Sequence, residues 1–367
     1  MTSMDTKLAV EEECCRLPTN KAALEERSTE KDGENEQEQR QGGWVTHYCE
    51  VFTKLALIVG GFIIVVGAFR NTVTYYLQLF WGVSGDFWMR QWGKIYDFFE
   101  GDHLNISLAA ESFLIIQYWI VCAFFLTVDI YKWPSVLLRY KIQSNQNDPI
   151  PPGKLRRAVL TVIANQTVVV LPLALAVYYY MGWRECGFSP AELPTFQWVM
   201  IELFVFLVIE EMGFYYSHRL FHHPRLYKYI HKKHHEWTAP ISVVAIYAHP
   251  IEHIFANTLP AVMGPMVMGS HIATLCMWLT IAQTSAIISH CGYHFPLLPS
   301  PEAHDFHHLK FTNNYGTLGI LDRFHGTDNL FRKTKSYQRH FLLLGLTPVA
   351  HTFPDDPKHK AVPCKEE

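Results

Sequence analysis

Long apolar runs separated by short polar segments cover most of the chain after its first 43 residues. The runs without any charged residue include 55–69, which extends back to residue 51 across Lys54, then 112–128 and 158–183. Because a helix of about 20 residues crosses the hydrocarbon core of a bilayer, these runs predict membrane-spanning helices. The segment 195–209 is a weaker fourth candidate, since Glu202 lies inside it and an acid within a membrane needs a polar partner.

The longest stretch without Asp, Glu, Lys or Arg is 253–301. It contains Pro260, Gly264, Pro265 and Gly269 in its first third, which rules out one straight helix. The pattern therefore predicts a hairpin of two short spans within 254–289. Several separate runs of spanning length favour an all-α, polytopic membrane bundle over a soluble protein with unusually apolar core helices.

The ends of the chain differ from this apolar body. Residues 1–43 carry eleven acidic and six basic side chains and no long apolar run, which predicts a disordered acidic tail. The pattern divides the chain into this tail, an N-terminal transmembrane region over 44–194, a domain over 195–330 and a C-terminal tail over 331–367.

The positions of lysine and arginine predict how the chain is oriented. The segment 129–157 carries six of these residues, whereas the longer segment 70–111 carries three. Since cytosolic loops are enriched in basic residues, we expect 129–157 to be cytosolic. Both termini, and the segments 210–253 and 290–367, then lie on the same side.

Composition agrees with a membrane protein and excludes other classes. The chain is 49% hydrophobic and only 18% charged. A net charge of −3 without a clustered basic patch argues against nucleic acid as a partner. The eight cysteines form no CxxC pair, which argues against a zinc ribbon and a disulfide framework.

Histidine is concentrated in one part of the chain. Fifteen of the twenty histidines lie between His218 and His325. They form two HxxxH pairs and two HxxHH clusters, and residues three or four apart lie on one face of a helix. The predicted metal ligands are His218, His222, His231, His234, His235, His290, His294, His304, His307 and His308.

The number of predicted ligands, ten imidazoles, limits which kinds of metal centre are compatible with the sequence. Neutral imidazole binds iron, copper, zinc and nickel, so the ligand type leaves the metal open. Ten ligands exceed the four of a structural zinc site and indicate two neighbouring metals, for which redox chemistry favours iron. Glu210 and Glu211 lack the Glu-x-x-His spacing of carboxylate-bridged sites and are expected to end the fourth span. Residues expected to support the ligands from behind are His249, Glu252, His253, Asp305, Asp322 and His325.

The order of the four histidine motifs, with the strings YAHPIEH and HDFHHLKF, resembles the membrane-bound sterol desaturase and fatty acid hydroxylase superfamily. The similarity spans about 195–330 and is greatest to the C-4 methylsterol oxidase branch. One position differs from that branch: sterol oxidases have an apolar residue where this chain has His325. The resemblance implies a cytosolic, histidine-rich helical cap holding two iron ions, in a multi-pass protein of the endoplasmic reticulum membrane.

The resemblance also implies an activity. A protein of this kind is expected to be a non-haem di-iron oxygenase that uses O2 to oxidise a lipid, foremost the C-4 methyl group of sterol intermediates. The electrons come from NAD(P)H through cytochrome b5 and its reductase, since the chain has neither the HPGG string of a fused cytochrome b5 nor a GxGxxG fingerprint.

Two other functions are compatible with the sequence. One is a fatty-acyl or sphingolipid hydroxylase, which needs the same metal centre. The other is a metal-binding membrane scaffold without catalysis, with a regulatory or signalling role. A metal carrier is disfavoured, because a carrier places its ligands near the middle of a span, whereas these motifs lie outside the apolar runs.

Overall fold

The computed structural model describes residue 49, residues 51–65, residue 67 and residues 70–355; the predicted tail 1–43 lies outside this part. Within it the chain forms helices and turns, with an isolated bridge between Lys141 and Tyr293 and no strand. The all-α prediction is confirmed. The chain divides into two units, 1–80 and 81–367.

The first unit contains α1 (Val51–Val65) and the beginning of α2 (Arg70–Phe98), which continues into the second unit. At a rise of about 1.5 Å per residue, α1 is about 22 Å long. It is therefore helical as predicted, but this length is short of the roughly 30 Å of a bilayer core.

Among the described residues, three helices are long and apolar enough to cross a membrane. They are α3 (His103–Tyr131), α4 (Pro152–Trp183) and α7 (Ile272–His290). The first begins where the Asp102 carboxylate accepts a hydrogen bond from the Asn105 amide at 2.9 Å and ends at Lys132, which has a left-handed backbone. Spans predicted over 112–128 and 158–183 thus lie inside helices of spanning length.

The fourth predicted span, 195–209, is part of α5 (Phe196–Phe221), which is not among those three helices. This helix includes Glu202, Glu210, Glu211 and Arg219 and continues without a break to the first histidine motif. The helix therefore continues past Glu210 and Glu211, the residues predicted to end the membrane span.

The predicted hairpin is present, with unequal arms. Its first arm is α6 (Leu259–Met268), ten residues long, and Gly269 ends it with a φ of +65°. Its second arm is α7, which begins at His271, where the imidazole Nδ1 accepts a hydrogen bond from the Ala273 amide at 3.1 Å. Only the second arm has spanning length.

Two close helix contacts bring the histidine motifs together. A Cβ atom at Gly264 would lie 2.8 Å from Phe206, and one at Gly213 would lie 3.0 Å from Pro260, so α5 and α6 pack backbone to backbone. Between α3 and α7, the Gln283 side chain donates to the Gln117 carbonyl at 2.6 Å. Small residues and interhelical amides are the usual means of joining membrane helices.

The cap consists of short helical segments between and after the long helices. The 3₁₀ segments are Ser135–Tyr140, Pro190–Glu192, His231–Glu236, Ser242–Ile246 and Phe331–Lys333, and the π-helical segments are Asn165–Val170, within α4, and His253–Thr258. The α-helical segments are Pro224–Tyr227, Pro250–Glu252, α8 (Glu302–Lys310), Ile320–His325, Lys335–Arg339 and Val349–Thr352.

The predicted C-terminal tail packs against the body as far as residue 355. Leu343 and Val349 are buried in the same apolar core as Trp237, and the Tyr140 hydroxyl donates to the Leu346 carbonyl at 2.7 Å. The remaining residues of that tail, 356–367, lie outside the described part.

Candidate metal centre

Nine of the ten predicted ligands converge in two groups, in each of which the candidate ligand atoms lie within 4.8 Å of one another. The five-histidine group consists of His218, His222, His231, His235 and His307. The four-histidine group consists of His234, His290, His304 and His308.

Each HxxHH motif contributes to both groups. His231 and His235, four residues apart, belong to the five-histidine group, whereas His234 between them belongs to the four-histidine group. The second motif repeats this division in the opposite sense, with His304 and His308 in one group and His307 in the other. The expectation that each motif presents a single face is therefore wrong, because the adjacent histidines of each motif point towards different groups.

Spacings within the groups fit metal coordination. In the five-histidine group, Nε2 of His235 lies 2.9 Å from that of His231 and 3.2 Å from those of His222 and His307. For a metal–nitrogen bond of about 2.1 Å, neighbouring ligand atoms are about 3.0 Å apart in an octahedron and about 3.4 Å apart in a tetrahedron. The observed spacings are compatible with both geometries, and it is the number of ligands, five, that favours a five- or six-coordinate ion over a tetrahedral one.

Hydrogen bonds from the Nδ1 atoms of the ligands fix the orientation of the imidazole rings. In six of the nine histidines, Nδ1 lies 2.6–3.2 Å from an oxygen atom that accepts a hydrogen bond from it. The backbone pairs are His218 with Tyr315, His234 with Tyr247, His290 with Ala286, His307 with Asn313 and His308 with Trp237. Since Nδ1 carries the proton, Nε2 presents a lone pair to its group.

Burial keeps these imidazoles neutral. Desolvation lowers the pKa of His234 to about 4 and that of His218 to about 3, and it lowers the pKa of His231 and His307 well below the ordinary range. A metal binds the neutral form, so no proton has to be displaced near neutral pH.

His294, the tenth predicted ligand, lies outside both groups. Its Nε2 donates to the Phe341 carbonyl at 3.0 Å, and its Nδ1 lies 3.6 Å from the Glu302 carboxylate. The HxxxH spacing requires a continuous helix, but α7 ends at His290 and Gly292 turns the chain with a φ of +77°. The two histidines therefore do not share a helix face.

Three predicted supporting carboxylates have different surroundings. Glu252 lies 2.7 Å from Nδ1 of His231, as a residue that orients a ligand should. Asp305 instead accepts from the Gln143 side chain at 3.0 and 3.1 Å. Asp322 accepts from the Tyr315 and Gly316 amides, so it holds a backbone loop and not an imidazole.

The three predicted supporting histidines also lie apart from the ligands' hydrogen bonds. His249 caps a short helix by accepting from the Ile251 amide at 3.2 Å. His253 contacts the Asn257 side chain at 3.3 Å. His325 is exposed and lies 3.1 Å from the Tyr216 hydroxyl.

Sequence reasoning missed Glu211 and the loop it holds. The Glu211 carboxylate is buried and accepts hydrogen bonds from the Thr317 amide and hydroxyl and from the Leu318 and Leu321 amides, at 2.8–3.2 Å. This loop supplies the Tyr315 carbonyl that accepts from His218. The run of small polar and glycine residues directly after the last HxxHH motif is the signal that predicts such a loop.

A cavity of about 500 Å³ extends from the two histidine groups into the long helices. Its wall near the cap includes His218, His231, His234, His290 and His304. Its remaining wall is mainly apolar and includes residues of α3, α4, α5, α6 and α7 as well as cap segments, with Leu114, Leu173, Val262 and Leu279 among them. This volume is in the range of sites that enclose a small molecule.

Comparisons with known proteins agree with this geometry. The family model described as fatty acid hydroxylase matches residues 203–327. The chain is 47% identical to fatty acid hydroxylase domain-containing protein 2 of Homo sapiens, over 88% of this chain and 96% of that protein. This chain belongs to the fatty acid hydroxylase family.

Other members of the fatty acid hydroxylase family are also similar. The Macaca fascicularis fatty acid hydroxylase domain-containing protein 2 is 49% identical, over 83% of this chain and 92% of that protein. Methylsterol monooxygenase 1 of Danio rerio is 31% identical, over 65% of this chain and 84% of that protein. No solved structure matches the chain. The resemblance seen in the sequence is confirmed at the level of the family.

The residues of this fatty acid hydroxylase family member fit the two iron ions that the resemblance implies. Nε2 of His308 is fully buried within the four-histidine group, and none of the described residues bonds to it. Buried polar atoms normally have partners, and a metal ion would supply this one. Each of the two groups consists of neutral imidazoles at coordination distance, so the two groups together can bind a pair of ions.

The metal-free protein should lose stability as the pH falls from about 7 to 5. Unfolded histidine titrates near 6.5, whereas burial lowers the pKa of the folded ligands, as in His234 at about 4. The unfolded chain therefore binds more protons below about pH 6.5, and stability falls with pH. Burial raises the pKa of Glu252, Asp305 and Asp322, which acts in the opposite direction, but nine imidazoles outnumber them.

Thermal unfolding of the chelator-treated full chain in detergent, measured in steps from pH 7.5 to 5, tests this expectation. The unfolding temperature should fall steadily over that interval. An unfolding temperature that is unchanged or rises towards pH 5 would show that the histidine groups are not held neutral by the fold.

Proposed function

We propose that this protein is a membrane-bound, non-haem di-iron oxygenase that hydroxylates a lipid, and that the carbon it oxidises is the C-4 methyl group of a sterol intermediate. The observation that supports this proposal is a mainly apolar cavity that begins among helices of membrane length and ends at both histidine groups. A lipid in that cavity lies in apolar surroundings along its length while one end reaches the candidate metal centre.

The overall reaction of this proposal is balanced by an external reductant. One oxygen atom of O2 enters a carbon–hydrogen bond of the lipid to give a hydroxyl group, and the other leaves as water, with two electrons and two protons consumed. The two irons, when bound, would supply the activation of O2. Cytochrome b5 and its NAD(P)H-linked reductase are the proposed source of the electrons.

The chain's own residues have three tasks in this reaction. The nine imidazoles hold the ions, and six backbone carbonyl or carboxylate partners keep their lone pairs facing inward. Glu252 is the acidic group bonded directly to a ligand, His231. Apolar residues of α3, α4 and α7 exclude water from the reacting carbon.

The sterol substrate is favoured by the similarity to a methylsterol monooxygenase. An acyl substrate is the alternative, because the family model carries the name fatty acid hydroxylase. Both classes are apolar lipids that suit the cavity wall. A substrate panel must therefore include both.

We also propose an endoplasmic reticulum location, with the histidine motifs and both termini in the cytosol. The basic segment 129–157 between α3 and α4 supports this orientation. The proposed catalytic domain is 195–330, preceded by the transmembrane region 44–194. The cavity wall includes residues of α3 and α4, so the N-terminal region contributes to the site as well.

The test uses the purified full-length chain in lipid nanodiscs with cytochrome b5, its reductase and NADPH. Iron content is measured first, and the protein is then given a panel of 4-methylsterols and a panel of long-chain acyl lipids, with products identified by mass spectrometry. We expect about two irons per chain and a 4-hydroxymethyl sterol that depends on O2. An iron-loaded protein that oxidises neither class would contradict the proposal and favour a metal-binding scaffold.

A further inference from the structure

Two π-helical segments form part of the cavity wall. They are Asn165–Val170 and His253–Thr258, and they pack against each other. In the second segment the Thr258 hydroxyl donates to the His253 carbonyl at 2.9 Å. Such π-helical turns are rare and occur mostly at functional sites, because they displace side chains from regular helical positions.

The second segment holds His253 in one tautomer. The Asn257 side-chain nitrogen lies 3.3 Å from Nδ1 of His253. An amide nitrogen only donates, so Nδ1 is the acceptor and the proton of the neutral ring is on Nε2. His253 is thus a hydrogen-bond donor at Nε2.

This donor has no acceptor in the part of the chain that the structure describes. His253 is 3% exposed, and its Nε2 is buried without a hydrogen-bond partner among the described residues. Buried N–H groups are nearly always paired, because an unpaired one loses its hydrogen bond to water without replacement. A molecule that enters the cavity can supply the missing acceptor.

The position of His253 indicates which partner this is. His253 and Asn257 both line the cavity, together with the ligands His231 and His234. Glu252, the residue directly before His253, forms a hydrogen bond of 2.7 Å with His231. The unpaired donor therefore follows directly on a residue that contacts the five-histidine group. His253 is therefore part of the cavity wall close to the candidate metal centre, and its Nε2 is a buried donor of that wall without an acceptor among the described residues.

We propose that Nε2 of His253 donates a hydrogen bond to an oxygen atom of the lipid substrate, a hydroxyl or carbonyl oxygen close to the carbon that is oxidised. This inference rests on the proposed function, because it concerns the substrate of that same site. His253 is then a specificity-determining residue, and Asn257 is a positioning residue that keeps the His253 proton on Nε2.

Two lipid classes offer such an oxygen. In a 4-methylsterol it is the 3-hydroxyl, which is on the ring carbon next to the methylated one. In a fatty acid it is the carboxyl group at the end of the chain. The shared chemistry is an oxygen acceptor, and analogues that lack it distinguish the two sources.

The first experiment changes the substrate. The wild-type protein is given a 4-methylsterol with its 3-hydroxyl, the 3-ketone and the 3-deoxy analogue, and in parallel a long-chain fatty acid and the matching alkane. Equilibrium binding to the purified protein is measured besides turnover. For the class that is the substrate, loss of the oxygen should weaken binding and kcat/KM by about 10- to 100-fold, whereas the 3-ketone should keep most of the affinity of the sterol.

The second experiment changes the protein. In His253→Phe, the oxygen-bearing lipid should bind about as weakly as its deoxygenated analogue, so that the discrimination between them disappears. His253→Gln places an amide donor near the position of Nε2 and should restore part of that discrimination. His223→Phe is the matched control, because His223 is exposed, accepts a hydrogen bond from the Arg225 amide and does not line the cavity; it should leave the discrimination intact.

The outcomes separate this inference from the proposed function. If wild-type protein binds and oxidises a lipid but His253→Phe still discriminates as the wild type does, the role of His253 is wrong and the oxygenase remains. If the wild type binds the oxygen-bearing lipid more tightly without oxidising it, the proposed function is wrong and the binding role of His253 stands. If the wild type does not distinguish lipids with and without the oxygen, the inference is overturned.

Discussion

Replacing His307 with alanine is expected to reduce the iron content from about two to about one per chain and to abolish detectable lipid oxidation. Its Nε2 lies 3.2 Å from those of both His222 and His235, so the side chain is at the centre of the five-histidine group. Substitutions of residues that merely support a ligand cost about 10- to 100-fold, and loss of a ligand should cost more. Metal analysis and turnover of the purified variant measure the two effects.

His234→Ala is the complementary change, because it removes a ligand of the four-histidine group. The matched control is His223→Ala. His223 is adjacent to His222 in the sequence, but it is exposed and accepts a hydrogen bond from the Arg225 amide at 3.3 Å. The control should retain both irons. Retention of two irons and full turnover in His307→Ala would show that the ligand assignment is wrong.

Replacing Glu211 with leucine is expected to lower the free energy of unfolding by about 3 kcal/mol or more. The change leaves three backbone amides, those of Thr317, Leu318 and Leu321, without their buried acceptor. The loop also supplies the Tyr315 carbonyl behind His218, so the affinity of the five-histidine group for metal should fall as well. Thermal unfolding in detergent and metal titration measure the two changes.

Glu210→Leu is the matched control for stability. Glu210 precedes Glu211 in α5, but it lines the cavity and accepts no hydrogen bond from the loop among the described residues. Its substitution should change the unfolding temperature far less. Equal destabilisation by the two substitutions would mean that the cost comes from altering α5 in general and not from releasing the loop.

The long helices and the convergence of the histidines could be predicted from the sequence, since both depend on local patterns. Uncharged runs of spanning length need no knowledge of their neighbours to be recognised. A dense set of imidazoles at spacings of three and four indicates metal binding for the same reason. Nine of the ten predicted ligands do converge.

The division of ligands between two groups could not be predicted, because it depends on how four separate segments pack. His294 shows the limit of a spacing rule: the turn at Gly292 ends the helix that the rule assumes. Glu211 shows a second limit. Its four hydrogen bonds reach a loop more than 100 residues later in the chain, and a sequence pattern contains no information about that distance.

The alternation of adjacent histidines between the two groups has a consequence for assembly. His234 and His235 are consecutive, as are His307 and His308, and in each pair the two residues belong to different groups. An ion that orders one group thereby fixes backbone that carries ligands of the other, so the second ion meets a site whose conformational entropy has already been reduced. We therefore expect that an ion bound at one group favours binding of an ion at the other.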